Sequence, residues 1–159
     1  LSGPEPQRSI LENKIIDEVS HYNGTATIVR GLPGHTTLLP STNMIKFYNH
    51  VSAHEFNDEM MKAEFIISRS GYSTVMDAMT LQKKCIFIPT PGQTEQEYLG
   101  TLLMKKGMAL CVPQQDFSLD RALSLAKEFN YQLPPVADDQ LLKKSVERFL
   151  SQFAVSALG

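Results

Sequence analysis

The chain has 159 residues, 42% of them hydrophobic and 20% charged, which suits one domain with a proper core and excludes a disordered, collagen-like or disulfide-scaffold protein. Its 15 Lys and Arg stand against 17 Asp and Glu, for a net charge of -2, a balance that points to neither nucleic acid nor a basic partner. Cys85 and Cys111 are too few for a disulfide framework or a four-ligand zinc site and read as small core residues in a reducing compartment, no apolar run approaches the ~18 residues of a membrane helix, and residues 1–6 are no signal peptide.

Gly3, Pro4 and Pro6 make residues 1–8 a loop. Residues 9–19 place Ile10, Leu11, Ile15, Ile16 and Val19 on a helical face, and Ser9 with Glu12 reads as a capping box. The β-branched run 25–29 is a strand closed by Gly31, Pro33 and Gly34; 44–48 is a second strand, and 53–63 a helix with Phe56, Met60 and Met61 inward. Residues 64–68 contain Phe65-Ile66-Ile67, the continuous apolar run of a strand buried on both faces. Helix 73–81, strand 85–88, helix 95–106 ending at Gly107, and strand 108–112 follow, with Pro89, Pro91 and Pro113 as stops. Ser118 caps a helix through Phe129, and a last helix opens at Asp138 with Leu141, Leu142, Val146, Phe149, Leu150 and Phe153 on one face. Such alternation predicts parallel βαβ units, an α/β three-layer domain with a mostly parallel sheet covered on both faces. Ligands then bind beyond the carboxyl ends of the strands. The expected division is an α/β core over 1–133 and a C-terminal helix and tail over 134–159.

Three strand-leaving loops carry chemistry. In residues 66–77 a buried strand ends, Gly71 permits a turn, and a helix begins whose first N–H groups have no internal partner. That helix start suits phosphate, Ser73 and Thr74 can add hydroxyl donors, and Asp77, one turn on, can accept the hydroxyls of a ribose. The same spacing suits a plain N-cap by Ser70 or Ser73 with Asp77 on an exposed face, and the residues do not choose between the two. Residues 2–8 offer a Gly turn, Gln7 and Arg8 near another helix start, fit for an anion or a sugar; they lack Gly-Lys-Ser/Thr and are no Walker loop. A Pro-rich lead-in with Arg8 on the surface fits them as well. Residues 89–97 are dense in amides and carboxylates able to bind sugar hydroxyls, and equally suit an exposed helix start with acids on its dipole. His21, His35, His50 and His54 have no ligand spacing, and no Gly-x-Ser-x-Gly elbow is present.

Residues 68–77, Ser-Arg-Ser-Gly-Tyr-Ser-Thr-Val-Met-Asp, followed by Ile86-Phe87-Ile88-Pro89 and Thr94-Glu95-Gln96, resemble the C-terminal domain of family 28 glycosyltransferases. The resemblance runs from the Ser2-Gly3 loop to about Phe129. It implies the C-terminal half of a GT-B fold, in which two Rossmann-like domains face across a cleft, one binding a nucleotide-sugar donor and the other the acceptor. It implies that Tyr72, Ser73 and Thr74 meet the diphosphate through backbone and hydroxyl groups, with Ser70 and Gly71 beside them in the donor site. Asp77 stands where the family has a Glu on the ribose hydroxyls, its side chain one methylene shorter. Glu95 and Gln96 stand near the residues that read the donor sugar, and Ser52 and Ala53 in the stretch that meets the uracil. Gly3 lies in the family's first Gly-rich loop, but residues 4–8 depart from its Gly-Ser-x-Gly pattern, leaving Gln7 and Arg8 to contribute.

The chain begins where a first central strand would be finishing, so that strand is expected to be largely missing and the N-terminal acceptor domain absent. The function expected is the donor-binding domain of a transferase that moves a hexosyl or N-acetylhexosaminyl group from a nucleotide sugar, UDP-linked in the family, to an acceptor hydroxyl. The alternatives are a sugar-nucleotide epimerase or hydrolase relative, or the donor-side subunit of a two-chain transferase. No cofactor and no metal are expected. The expected partners are the donor, the acceptor domain, and a lipid or glycan acceptor, without nucleic acid. The setting expected is cytoplasmic, at the inner membrane surface of a cell envelope, with the catalytic base outside this chain.

Overall fold

A computed structural model describes residues 1–134; the helix expected from Asp138 lies outside the described residues. In chain order the elements are α1 (Gln7–Val19), β1 (Ala26–Val29), β2 (Ile45–Tyr48), α2 (Ala53–Lys62), β3 (Phe65–Ser68), α3 (Tyr72–Thr80), β4 (Lys84–Phe87), α4 (Thr94–Lys105), β5 (Leu110–Cys111), a short 3-10 turn (Gln114–Asp116) and α5 (Leu119–Glu128). All strand pairs are parallel, as the alternation with helices requires. Residues 36–39 are loop.

The expected single sheet is found as two parallel pieces, β1–β2 and β3–β4–β5. Between them stands the start of the chain. The Leu1 amino group donates to the Val29 carbonyl at the end of β1, and the Ser2 carbonyl accepts from Arg69 just past β3.

The three-layer prediction holds, and β4 shows why. Its residues, with Ile88 directly after it, alternate between two cores. Ile86 and Ile88 pack with Leu11, Ile15 and Val19 of α1 and Leu119, Ala122 and Ala126 of α5. Cys85 and Phe87 pack with Met60 of α2, Val75, Ala78 and Met79 of α3, and Leu99 and Leu103 of α4. A period-2 strand with both faces covered must be apolar throughout, and 85–88 are all 0% exposed. Ile86, Phe87 and Ile88 each contribute about 1.5–3 kcal/mol on burial. At Gly100, an added Cβ would lie 2.7 Å from Cys111 Sγ and 3.1 Å from Pro89 Cγ, so the glycine lets α4 press onto β5 and the loop after β4.

Two helix starts differ from expectation. α1 begins at Gln7, and the Ser9–Glu12 capping box is not formed. Instead Glu5 Oε2 accepts the Ser9 N–H at 3.2 Å, and Glu12 pairs with Arg30 at 2.7 Å and Arg8 at 3.3 Å. Arg30 also donates to Asn49 Oδ1 at 2.7 Å, so one guanidinium ties the ends of β1 and β2 to α1. Ser118 sits at the N-cap of α5 without a side-chain bond; the Leu119 N–H donates to the Glu18 carboxylate of α1. At Ser9 the nearby Glu5 takes the N–H while the distant Arg30 holds Glu12, and at α5 the distant Glu18 takes the role of the local hydroxyl.

Candidate functional site

The loops leaving β3 and β4 meet at the carboxyl end of the sheet. Gly71, Gln93, Thr94, Glu95 and Gln96 line an open cleft of about 310 Å³, the lower end of ligand-pocket size. The Ser70 hydroxyl donates to the Gln96 carbonyl at 2.7 Å and holds the two loops together. Gln96 Oε1 accepts the Thr90 N–H at 3.0 Å, and its Nε2 donates to Gln93 Oε1 at 2.5 Å. Glu97 accepts the Gly92 N–H at 3.0 Å. The loop is thus rigidified by its own amides, and Glu95 remains an exposed carboxylate at the cleft.

The N-terminus of α3 forms the opposite wall. Gly71 is its N-cap, with φ -71 and ψ 144 and no side-chain cap. The first helical bond runs from the Val75 N–H to the Gly71 carbonyl. The N–H groups of Tyr72, Ser73 and Thr74 precede it and carry the positive end of the helix dipole. Among the described residues, no atom beyond its own chain neighbours lies within 4 Å of a Cβ built on Gly71. The backbone angles here suit any residue, so the glycine serves space over the helix start, not conformation. Asp77 is exposed on the same helix. Neither the Ser73 nor the Thr74 hydroxyl is engaged among the described residues.

The remaining expected residues fall differently. Ser70 is 1% exposed and its hydroxyl is engaged, so it straps loops together instead of facing the cleft. Arg8 does not stand free for an anion: its Nε donates to Glu5 at 2.8 Å, its Nη2 to Ser9 Oγ at 3.1 Å, and it pairs with Glu12. Hydrogen bonds from Arg8 and Ser9 hold the Glu5 carboxyl below its ordinary pKa. The anion seat at the start of α1 is therefore filled by the chain's own carboxylate. Gln7 Oε1 accepts from Gln114 Nε2 at 2.7 Å, and its carbonyl accepts from Arg69 at 2.9 Å. Gly3 lies beside Thr90 and Arg69. Ser52 and Glu55 form a true capping box on α2, with the Ser52 N–H on Glu55 Oε2 at 2.8 Å, so that N–H is taken; Ala53 opens the helix on the surface. Phe56 of α2 and Tyr72 of α3 join one apolar cluster, which keeps the start of α2 in the neighbourhood of α3.

The sequence singles out the loops that hold Gln93, Thr94 and Arg69 but gives these three no role of their own; Gln93 and Thr94 line the cleft, and Arg69 links residues 2–8 to the loop after β4. An Arg directly after a buried strand is the available signal for the last. Among the described residues no three His, Cys, Asp or Glu side chains gather as metal ligands, and no helix is long and apolar enough to cross a membrane.

The profile of the glycosyltransferase family 28 C-terminal domain matches residues 34–150. A UDP-N-acetylglucosamine--N-acetylmuramyl-(pentapeptide) pyrophosphoryl-undecaprenol N-acetylglucosamine transferase of Haemophilus ducreyi is 32% identical over 130 residues, 79% of this chain and 36% of that protein. The enzyme of the same name from Actinobacillus pleuropneumoniae is 27% identical over 162 residues, 99% of this chain and 42% of its own length. The chain thus spans well under half of these relatives. Among solved structures, the spinosyn forosaminyltransferase SpnP superposes with a TM-score of 0.55 at 15% identity, covering 90% of this chain and 36% of its own. The glycosyltransferase SnogD of Streptomyces nogalater superposes with a TM-score of 0.56 at 12% identity, covering 95% and 40%. At such identities these two structures speak for the fold.

Proposed function

The chain belongs to the glycosyltransferase family 28 C-terminal domain family, and on that premise we propose that it is the nucleotide-sugar-binding half of a glycosyltransferase, with a UDP-linked hexosyl or N-acetylhexosaminyl donor. The observation that carries this reading is the uncapped start of α3 under the open space at Gly71, facing the carboxylate- and amide-rich start of α4. The diphosphate rests on the N–H groups of Tyr72, Ser73 and Thr74, with the two hydroxyls beside them. Asp77, one turn along α3, accepts from the ribose hydroxyls. Glu95 and the Gln93–Gln96 amide pair meet the sugar hydroxyls across the cleft. The uracil takes backbone groups near Ser52 and Ala53.

Chemistry follows from the placement. In glycosyl transfer the nucleoside diphosphate departs, and negative charge grows on its bridging oxygen. N–H dipoles already aimed at that position stabilise the charge without reorganising, and this is the main catalytic contribution expected of this half. The base that deprotonates the acceptor hydroxyl belongs to the acceptor-binding part of the full enzyme. The names of the relatives point to a pyrophosphoryl-lipid acceptor, and with it to a setting on the cytoplasmic side of the inner membrane.

The test is a thermal scan with UDP, GDP, dTDP and UDP-sugars at millimolar concentration. UDP at a hundred times its Kd raises stability by about 2.7 kcal/mol, and Asp77→Ala removes most of the preference for UDP over its 2′-deoxy analogue. Absence of any shift, with Asp77→Ala behaving as the parent, overturns the assignment.

A further inference from the structure

Arg69 follows β3 directly and is 3% exposed. Its guanidinium donates to four backbone carbonyls: Nε to Ser2 at 3.4 Å, Nη1 to Ile88 and Pro89 at 3.1 and 3.2 Å, and Nη2 to Gln7 at 2.9 Å. No carboxylate is among these partners. The neighbouring arginines are different: Arg8 pairs with Glu5 and Glu12, and Arg30 with Glu12. Burial depresses the Arg69 pKa with no opposing cause. Carbonyl dipoles offset part of the cost of a buried cation but leave its net charge uncancelled.

Two further features meet at the same point. Gly3 has φ +122, a conformation reserved for glycine, and a Cβ there would lie 3.4 Å from Thr90 Oγ1 and 3.8 Å from Arg69 Nε. Thr90 is 1% exposed and its Oγ1 has no hydrogen-bond partner. A whole positive charge and an unpaired hydroxyl thus stand together behind the first loop, two residues before the Gly71 that opens the cleft. The start of α3 offers about half a charge.

We infer that Arg69 is a positioning residue whose uncancelled charge, set behind the loops that its guanidinium clamps, makes the cleft select a diphosphate over an uncharged nucleoside. The inference rests on reading the cleft as the nucleotide site. It differs from a purely structural role in one measurable way. A clamp alone supports every ligand of the loops equally; a charge discriminates among ligands by their own charge.

The experiment is isothermal titration of the chain with uridine, UMP, UDP and inorganic pyrophosphate at constant ionic strength, for the parent, Arg69→Met and Arg69→Lys. In Arg69→Met, UDP and pyrophosphate weaken by about tenfold or more while uridine stays within about twofold. Arg69→Lys keeps the charge and loses the planar fork, so its Tm falls while its UDP-to-uridine ratio stays within about threefold of the parent. The inference is overturned if UDP and uridine weaken in parallel in Arg69→Met, or if Arg69→Lys loses the ratio. Should Arg69→Met fail to fold, Arg69→Lys decides: a kept ratio supports the charge, a lost ratio refutes it. A parent that binds pyrophosphate but not UDP refutes the nucleotide reading, and Arg69 is then judged on pyrophosphate. A parent that binds no anion refutes both.

Discussion

Gly71→Asp separates the stability of this domain from its proposed ligand, because both compete for the same N–H groups. Gly71 already has the extended angles of an N-cap, φ -71 and ψ 144, the first turn of α3 has no acidic residue, and among the described residues a Cβ meets no atom within 4 Å beyond its chain neighbours. An aspartate there can accept from the Ser73 and Thr74 N–H groups without strain. A better cap contributes a few tenths of a kcal/mol, charge on the helix dipole about 0.3–1, and loss of glycine's freedom in the unfolded chain about 0.4–1. Together these come to about 1 kcal/mol, or a rise in Tm of about 2–4 °C for a chain of this size. Binding moves the other way. The carboxylate occupies the seat of the diphosphate, and two like charges about 4 Å apart at an effective dielectric near 20 repel by about 4 kcal/mol. Taking only a hundredfold loss in affinity, a UDP concentration of about 100 parental Kd stabilises the parent by about 2.7 kcal/mol and the variant by about 0.4. The assay is differential scanning calorimetry with and without UDP, with Gly71→Asn as the uncharged cap. A UDP shift in Gly71→Asp equal to the parent's, or a ligand-free Tm that falls by several degrees, refutes the reasoning.

Glu18→Ala leaves the Leu119 N–H at the start of α5 without its carboxylate; the cost is about 1 kcal/mol in thermal unfolding, with UDP binding unchanged because α5 covers the face opposite α3. Glu12 gives a pH signature. Burial pushes its carboxyl up, but hydrogen bonding and charge from Arg30, with Arg8, outweigh burial and hold it below the ordinary 4.5. A carboxyl depressed in the folded state contributes stability that is complete above its unfolded pKa and is lost as pH falls through the folded value. The parent's Tm should therefore fall more steeply than that of Glu12→Gln between about pH 5 and pH 3, while at pH 7 the variant is less stable by about 2 kcal/mol; parallel acid limbs in calorimetry would sink this assignment.

The strands are legible because short apolar runs bounded by Pro and Gly have few other uses. Residues 85–88 are the clearest case, since alternate side chains feed opposite cores. The run 108–112 reads as a strand over its whole length, and only Leu110–Cys111 forms β5; among the described strands it pairs with β4 alone, so fewer residues meet a ladder partner. The caps mislead at Ser9 and Ser118. A capping pattern is local in sequence, whereas Arg30 and Glu18 arrive from elsewhere in the chain and present full charges. At the site, the loops are legible and individual roles are not. Ser70 and Arg8 have the right chemistry for a ligand, yet their polar groups hold the loops and the start of α1 in place.

Sequence by itself determined the order of strands and helices, the loops at the carboxyl ends of the strands, the glycine before α3, and the family. All are patterns over neighbouring residues, where backbone preference and apolar period act. Only the tertiary structure decided which polar groups are engaged within the chain and which remain for a ligand. It seated Glu5 on α1 and left the start of α3 open. It gave Arg8 and Arg30 their carboxylates and gave Arg69 only carbonyls. Hydrogen bonds and charges are satisfied by whichever partner the fold brings within about 3 Å, and for Arg30 and Arg69 those partners come from distant parts of the chain.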